Sequence, residues 1–134
     1  MTNPIVMGTN VKYIDDGNTR MVCITQNVST ASSPLSLEEN GTDYAVPAGK
    51  IFIPIRLHLQ NSSTTANVTC ELHYNTTTDS TTGSTLWSKV GTTSSSTLDF
   101  EYGAPEIPAN NYVILRNAAS GNFYVTMIGV ETNA

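Results

Sequence analysis

The alternation of apolar and polar positions is clearest over residues 50–60, Lys-Ile-Phe-Ile-Pro-Ile-Arg-Leu-His-Leu-Gln. Every odd position from Ile51 to Leu59 holds a branched aliphatic side chain, and most of the even positions are polar. Because successive side chains of a β-strand point to opposite faces, this pattern predicts a strand whose odd positions face the core. A helix is excluded here, since a period of 2 does not match 3.6 residues per turn.

Residues 66–74 alternate in the same way, with Val68, Cys70 and Leu72 on the apolar face. Two arrangements fit this pair of strands. They either form a hairpin in one sheet, which places Ile55 opposite Cys70, or they lie in two sheets whose apolar faces meet across the core. The sequence leaves both arrangements open.

The remaining chain predicts further short strands, together with polar loops. The strands are expected at residues 4–7, 11–14, 20–26, 85–90, 98–102, 112–116 and 123–131. A short helical turn is expected from Leu35 to Glu39. In residues 75–97, Ser or Thr occupies 15 of 23 positions, which predicts a long loop excursion with one short strand; disorder is the alternative.

Eight to ten short strands separated by turns predict an all-β fold, a two-layer antiparallel β-sandwich, formed as a single domain over residues 1–134. The core is expected to comprise Ile51, Ile53, Ile55, Leu57, Leu59, Val68, Cys70, Leu72, Leu98, Phe100, Val113, Leu115, Phe123, Val125 and Met127.

The composition and charge narrow the classes of partner. Charged residues make up only 13% of the chain, while it holds 13 Ser, 20 Thr and 13 Asn. The net charge is −5 and the six basic residues are scattered, which argues against nucleic acid and against anionic membrane surfaces. No apolar run is long enough to span a membrane, and the start of the chain lacks the features of a secretory signal. We therefore expect synthesis in the cytoplasm of a cell, where the chain is either used or released by another route, such as lysis.

Residues that could carry chemistry give no strong motif, so we expect no enzyme activity, no cofactor and no metal. Cys23 and Cys70 fit buried thiols, with a disulfide between adjacent strands as the alternative. His58 and His73 are expected on the polar faces of their strands, too far apart to share a proton or a metal. No pair of carboxylates has a spacing that identifies a glycosidase or a calcium loop.

Four residues are candidates for contacts with a partner: Leu35, Leu37, Trp87 and Tyr102. Trp87, within the Ser/Thr-rich stretch, fits three roles: a stacking platform for a sugar, an interface anchor, or a plug at the end of its own sandwich. Leu35 and Leu37 lie in the loop that runs to Asn40, where we expect a contact with other subunits.

Two segments carry a family likeness. The segment Tyr44-Ala-Val-Pro-Ala-Gly-Lys-Ile-Phe-Ile resembles the lead-in to a strand in jelly-roll virion proteins of tailed bacteriophages. The C-terminal segments Ile107-Pro-Ala-Asn-Asn-Tyr-Val-Ile-Leu and Phe123-Tyr-Val-Thr-Met-Ile-Gly-Val-Glu are similar to the last two strands of those proteins and, more distantly, of C1q/TNF-like jelly rolls. The likeness covers residues 43–60 and 105–131.

This resemblance implies a jelly-roll-like sandwich that assembles on a phage particle, often as a trimer, and it carries over no catalytic residues. The function we expect is that of a virion structural protein, a capsid decoration (cement) protein that binds the major capsid protein or other virion subunits. The alternative is a spike, fibre or tail-tip module that recognises host-surface glycan through Trp87, Tyr102 and the Thr-rich loops.

Overall fold

A computed structural model describes the backbone of residues 5–7, 12–14, 18–29, 33–62, 67–100, 104–119 and 121–134, and the side chains of these ranges from residue 18 onward. The described residues form β-strands and no helix. The strands are β1 Ile5–Met7, β2 Lys12–Ile14, β3 Arg20–Val28, β4 Leu35–Ser36, β5 Glu38–Glu39, β6 Thr42–Asp43, β7 Lys50–Asn61, β8 Val68–Asn75, β9 Thr85–Thr92, β10 Ser95–Asp99, β11 Tyr112–Asn117 and β12 Phe123–Asn133.

Eight of these strands form two four-stranded antiparallel sheets. Sheet A has the order β10-β7-β12-β3, and sheet B has the order β4-β11-β8-β9. The two smaller pairs, β1–β2 and β5–β6, are short hairpins. In sheet A the first and last of the eight strands, β3 and β12, lie side by side, and in sheet B the second and seventh do so, which is the strand order of a jelly roll. The all-β antiparallel sandwich predicted from the sequence is confirmed.

Of the two arrangements open for residues 51–59 and 66–74, the structure has the crossing between sheets. Strand β7 lies in sheet A, and β8 lies in sheet B between β11 and β9. Ile55 is therefore not paired with Cys70. Leu57 and Leu59 of β7 and Cys70 and Leu72 of β8 are instead all buried in the core between the sheets.

The core holds most of the predicted residues. Leu57, Leu59, Val68, Cys70, Leu72, Val113, Leu115, Phe123, Val125 and Met127 are buried as predicted. Leu98 and Phe100 are only partly buried and pack against its margin. Buried side chains that the prediction missed are Val22, Ile24, Val28, Leu37, Tyr44, Val46, Phe52, Val90, Ile107 and Ile114.

The prediction for the first half of β7 was wrong. Phe52 is fully buried, whereas Ile51 and Ile53 are half-buried and Ile55 is 40% exposed. The cause is a β-bulge: Ile128 of β12 pairs with Arg56, but the next residue, Gly129, pairs with Pro54. Ile55 is the extra residue, and it reverses which face the odd positions occupy. The alternation from Leu57 onward keeps the predicted phase.

The structure also differs from two predictions for loops. Residues Leu35 to Glu39 form the short strands β4 and β5 rather than a helical turn. The Ser/Thr-rich stretch is folded: β9 belongs to sheet B and β10 to sheet A, so the chain crosses from one sheet to the other within this stretch. The loop at 76–84 is tied down because Asn75 Nδ2 donates to the carbonyls of Ser80 and Thr82, at 2.9 and 3.1 Å.

Candidate functional site

The outer face of sheet A has a polar end and an aliphatic end, formed by side chains of all four strands. Strand pairing places its residues in rows that cross β3, β12, β7 and β10. The rows are Asn27–Tyr124–Gln60–Ser95, Thr25–Thr126–His58–Thr97, Cys23–Ile128–Arg56–Asp99 and Met21–Val130–Ile53. The face therefore changes along its length from polar, through one ion pair, to aliphatic.

The aliphatic end of this face is a contiguous group of apolar side chains, here called the aliphatic patch. It comprises Met21, Ile51, Ile53, Ile55, Ile128 and Val130. Ile55, pushed outward by the bulge, is the most exposed, and the other five are half-buried. Contiguous apolar surface on a folded protein is typical of a contact with another protein.

The polar end of the face, here called the tyrosine platform, comprises Thr25, Asn27, His58, Gln60, Tyr124 and Thr126. Tyr124 is 48% exposed at its centre. The hydroxyls of Thr25 and Thr126 lie 3.1 Å apart, and His58 Nδ1 lies 2.8 Å from the hydroxyl of Thr97. These cross-strand contacts hold side chains of all four strands of sheet A in place beside the tyrosine.

An ion pair lies between the two ends on the β7 and β10 side of the face, in the same row as Ile128. Arg56 Nε donates to Asp99 Oδ1 at 2.6 Å, and both side chains are 55% exposed. An exposed pair of this kind contributes about 0–1 kcal/mol to stability. Its clearer effect is to neutralise the charge in the middle of the face.

A second polar cluster closes one end of the sandwich. Arg20 donates to both oxygens of Glu39, at 2.8 and 3.0 Å, and to both oxygens of Glu131, at 3.4 and 3.2 Å. The hydroxyl of Tyr44 donates to Glu131 Oε2 at 2.6 Å. The cluster ties β3, β5, β12 and the segment before β7 together.

The electrostatics of this cluster fit a structural tie. The hydrogen bonds to Glu39 are the main reason why the pKa of Arg20 is raised, although partial burial opposes them. Burial raises the pKa of Tyr44, and the hydrogen bond to Glu131 raises it further. A cleft of about 310 Å³ adjoins the cluster and is lined by Arg20, Glu39, Thr42, Asp43, Tyr44, Ala45 and Pro47. Because one guanidinium bridges both carboxylates, its hydrogen bonds serve to hold the strands in place.

A third cluster lies on sheet B around Glu71. Its carboxylate is 2.9 Å from Arg116 Nη1 and 3.0 Å from His73 Nε2, and Lys89 lies at 3.8 Å. Partial burial opposes ionisation of Glu71, but the hydrogen bonds from His73 and Arg116 outweigh it and lower the pKa of this carboxyl.

His73 connects this cluster to the loop at 76–84. Its Nδ1 lies 2.8 Å from Ser84 Oγ, and that hydroxyl donates to the carbonyl of Thr81 at 2.8 Å. A serine hydroxyl has one proton, so a proton committed to Thr81 is not available for transfer to His73. The chain of contacts from Glu71 to Ser84 thus pins the loop onto the sheet.

Three of the four residues predicted to contact a partner are described, and the structure does not bring them together: Leu35 and Trp87 lie on opposite edge strands of sheet B. Leu35 is half-buried on β4, and Leu37 is fully buried, so its side chain belongs to the core of this chain and not to an open surface. Trp87 is half-buried and packs edge-on against Phe100, with ring centroids 5.1 Å apart at 70°. Tyr102 lies outside the described residues.

Of the three roles open for Trp87, its packing against Phe100 fits the plug. Strand β9 is an edge of sheet B, while Phe100 follows β10, an edge of sheet A, so the ring pair bridges the two sheets where they meet. The indole nitrogen of Trp87 is buried and has no hydrogen-bond partner among the described atoms.

The two cysteines lie in different environments, and the two histidines lie on different sheets. Both cysteines are free thiols: Cys23 is exposed on the outer face of sheet A, and Cys70 is buried in the core. The expectation that both are buried is therefore wrong for Cys23, and the disulfide alternative is wrong. His58 lies on the outer face of sheet A, and His73 lies on sheet B. Within the described ranges, no three His, Cys, Asp or Glu residues are grouped as a metal site would require.

Comparisons with known proteins give no family. No model of a known protein family matches the chain, and no curated protein matches it. Among solved structures, the crystal structure of Yersinia pseudotuberculosis-derived mitogen is similar with a TM-score of 0.30 and 10% identity, over 85% of this chain and 86% of that chain. In the part of the chain that the structure describes, no helix is long and apolar enough to cross a membrane.

Proposed function

We propose that this chain is a structural protein of a tailed-bacteriophage virion, a head decoration (cement) protein without enzymatic activity. It binds the major capsid protein or other virion subunits non-covalently, as a homo-oligomer, most simply a trimer. The observation that carries the proposal is the aliphatic patch on the outer face of sheet A.

The patch has the chemistry of a protein-binding surface. Ile53, Ile128 and Val130 come from adjacent strands and form a continuous apolar surface, with Ile55 raised above it. Full burial of an exposed side chain of this kind contributes about 1.5–3 kcal/mol, and one that is already half-buried contributes roughly half as much. Several burials of this size, after the cost of association, are enough for a stable contact between subunits.

The architecture supports a passive mechanism. A protein that binds the assembled shell but not its separated subunits stabilises the shell by mass action. Symmetric copies on one particle add multivalency, which strengthens attachment without any new contact. The jelly-roll strand order also supports the proposal, because the resemblance of residues 43–60 and 105–131 implies that fold.

The test uses phage particles stripped of this chain. Adding back the wild-type chain should restore resistance of the particles to heat or osmotic shock. The variant Ile55→Asp places a charge on the patch at an exposed, bulged position, so it should fold normally and bind particles at least ~10-fold more weakly.

Leu86→Asp is the matched control, since Leu86 is 53% exposed on sheet B. It should bind and protect particles like the wild-type chain. Unchanged particle resistance after removal of the chain would overturn the cement role. Equal binding of Ile55→Asp and wild-type chain would remove the aliphatic patch from it.

The second candidate is a spike, fibre or tail-tip module that binds host-surface glycan. The sequence suggested Trp87 and Tyr102 for this role, but the Trp87 ring packs against Phe100 inside the chain. The observation that favours the candidate is a different aromatic residue, the exposed Tyr124.

A further inference from the structure

We infer that the tyrosine platform on the outer face of sheet A is a binding site for a neutral saccharide, with one sugar ring stacked on Tyr124. The inference does not depend on attachment to a virion, because the platform and the aliphatic patch are different groups of side chains; they adjoin only where Thr126 and Ile128 follow each other on the outer face of β12. Tyr124 and Val130 are six residues apart on β12, which is about 20 Å.

The platform places polar groups on both sides of an aromatic ring. Tyr124 lies on β12 and is paired with Asn27 of β3 on one side and with Gln60 of β7 on the other. All three side chains are exposed. Neighbouring strands lie about 4.8 Å apart, so the two amides lie close beside the ring on either side, where they can reach the edges of a sugar stacked on it.

The second row adds hydroxyl and imidazole groups. This row lies two positions further along the strands on the same face: Thr126 is next to Tyr124 on β12, His58 is next to Gln60 on β7, and Thr25 is next to Asn27 on β3. Amide and hydroxyl groups both donate and accept hydrogen bonds, as the hydroxyls of a sugar do. The tyrosine ring offers an apolar face to the C–H groups of a pyranose while its hydroxyl remains in water.

The distribution of charged residues favours a neutral ligand at this site. The two rows of the platform contain no Lys, Arg, Asp or Glu, and the nearest charged residues, Arg56 and Asp99, are paired with each other. The whole chain carries −5, which repels sialylated or sulfated glycans.

The arrangement of polar groups around the tyrosine ring, rather than the ring alone, indicates a ligand. A single exposed tyrosine on a protein surface needs no explanation. Here the ring is centred between two amides, and the hydroxyls beside it are already fixed by contacts of 3.1 and 2.8 Å. Side chains that are already held by such contacts lose little conformational freedom when a sugar binds.

The experiment measures binding of the isolated full chain to an array of neutral and acidic oligosaccharides, followed by calorimetric titration with those that bind. We expect a neutral oligosaccharide to bind the wild-type chain and Tyr124→Phe, which keeps the ring. Tyr124→Ala should bind at least ~10-fold more weakly, with an unchanged unfolding temperature. Leu86→Ala, at an exposed apolar residue of the other sheet, should bind like the wild-type chain.

Three results would overturn the inference: no neutral saccharide binds, only acidic glycans bind, or Tyr124→Ala binds as well as the wild-type chain. These results are separable from failure of the proposed virion role, because the titration uses no particles. If both proposals hold, Tyr124→Ala still binds particles and Ile55→Asp still binds the saccharide.

Discussion

The ring of Phe52 occupies the space in which a side chain at Gly129 would lie. An added Cβ at Gly129 would collide with the ring and come within 2.9 Å of the carbonyl oxygen of Ile53. The two residues lie on adjacent strands beside the bulge at Ile55. Glycine at this position therefore allows Phe52 to enter the core while Ile51 and Ile53 face outward.

Gly129→Ala should destabilise the protein by about 1–3 kcal/mol, because a rigid ring and a backbone carbonyl have to move to admit the methyl group. Urea unfolding measures the loss. Gly91→Ala is the control, since its Cβ would approach the hydroxyl of Thr69 at 3.3 Å and the carbonyl oxygen of Val68 at 3.4 Å without a collision, and should change stability by about 0.5 kcal/mol or less. Combining Gly129→Ala with Phe52→Ala should cost less than the sum of the two. An additive pair would show that the ring does not require the glycine.

Tyr44→Phe should cost about 1.5–3 kcal/mol at pH 8, since Glu131 loses a hydrogen bond in a buried position. Burial raises the pKa of Tyr44 in the folded chain, whereas in the unfolded chain tyrosine ionises near pH 10. Raising the pH above about 10 therefore favours the unfolded wild-type chain. The stability gap between wild type and Tyr44→Phe, measured by urea unfolding, should narrow from pH 8 to pH 11. A constant gap would contradict the buried hydrogen bond.

Glu71→Gln should lower stability at neutral pH by about 1–3 kcal/mol, because Arg116 and His73 lose their charged acceptor. The pKa of Glu71 is lowered from 4.5, so its contribution is present above about pH 4.5 and disappears as the pH falls through the folded value. The wild-type chain and the variant should therefore converge in acid. Glu38→Gln, at an exposed carboxylate, provides the control. A gap that persists unchanged at pH 2 would exclude this linkage.

The two thiols should differ in reactivity. Cys23 is exposed, whereas Cys70 is fully buried and its burial raises the pKa of the thiol, which lowers the fraction of reactive thiolate. A thiol-specific reagent should label one cysteine in the native protein and two after unfolding. Cys23→Ser should remove the native reaction. Labelling of both cysteines at similar rates in the native state would mean that the core opens readily.

The sequence predicts the layered β-architecture well because alternation extends over long strands. It fails at residues 51–55, where Ile, Phe, Ile, Pro and Ile are all apolar, so that either set of alternate positions could face the core. The choice depends on Gly129, which lies 77 residues beyond Phe52, and on a bulge that no local pattern reveals. The signal that could have indicated the bulge is the glycine itself, because glycine inside a strand often marks a bulge or a place where a bulky neighbour comes close.

The tyrosine platform could not be assembled from the sequence. Asn27, Gln60 and Tyr124 are ordinary residues in three separate strands, and only the order of sheet A makes them neighbours. Trp87 attracted the prediction because it is the single tryptophan in a polar stretch, yet a large ring at a sheet edge also covers the core. A rare residue such as Trp87 stands out in the sequence, whereas the exposure of Tyr124 can be seen only in the structure.

Strand β12, the last of the described strands in chain order, lies in the interior of sheet A between β3 and β7. A nascent chain without β12 has two unjoined strand edges and an uncovered apolar layer, so folding of the sandwich has to wait until this strand has been made. Pairing across such a large sequence separation is slow, which makes the emerging polypeptide a natural client for chaperones. Deleting a few residues of β12 would thus harm production of the protein more than a comparable deletion in a surface loop.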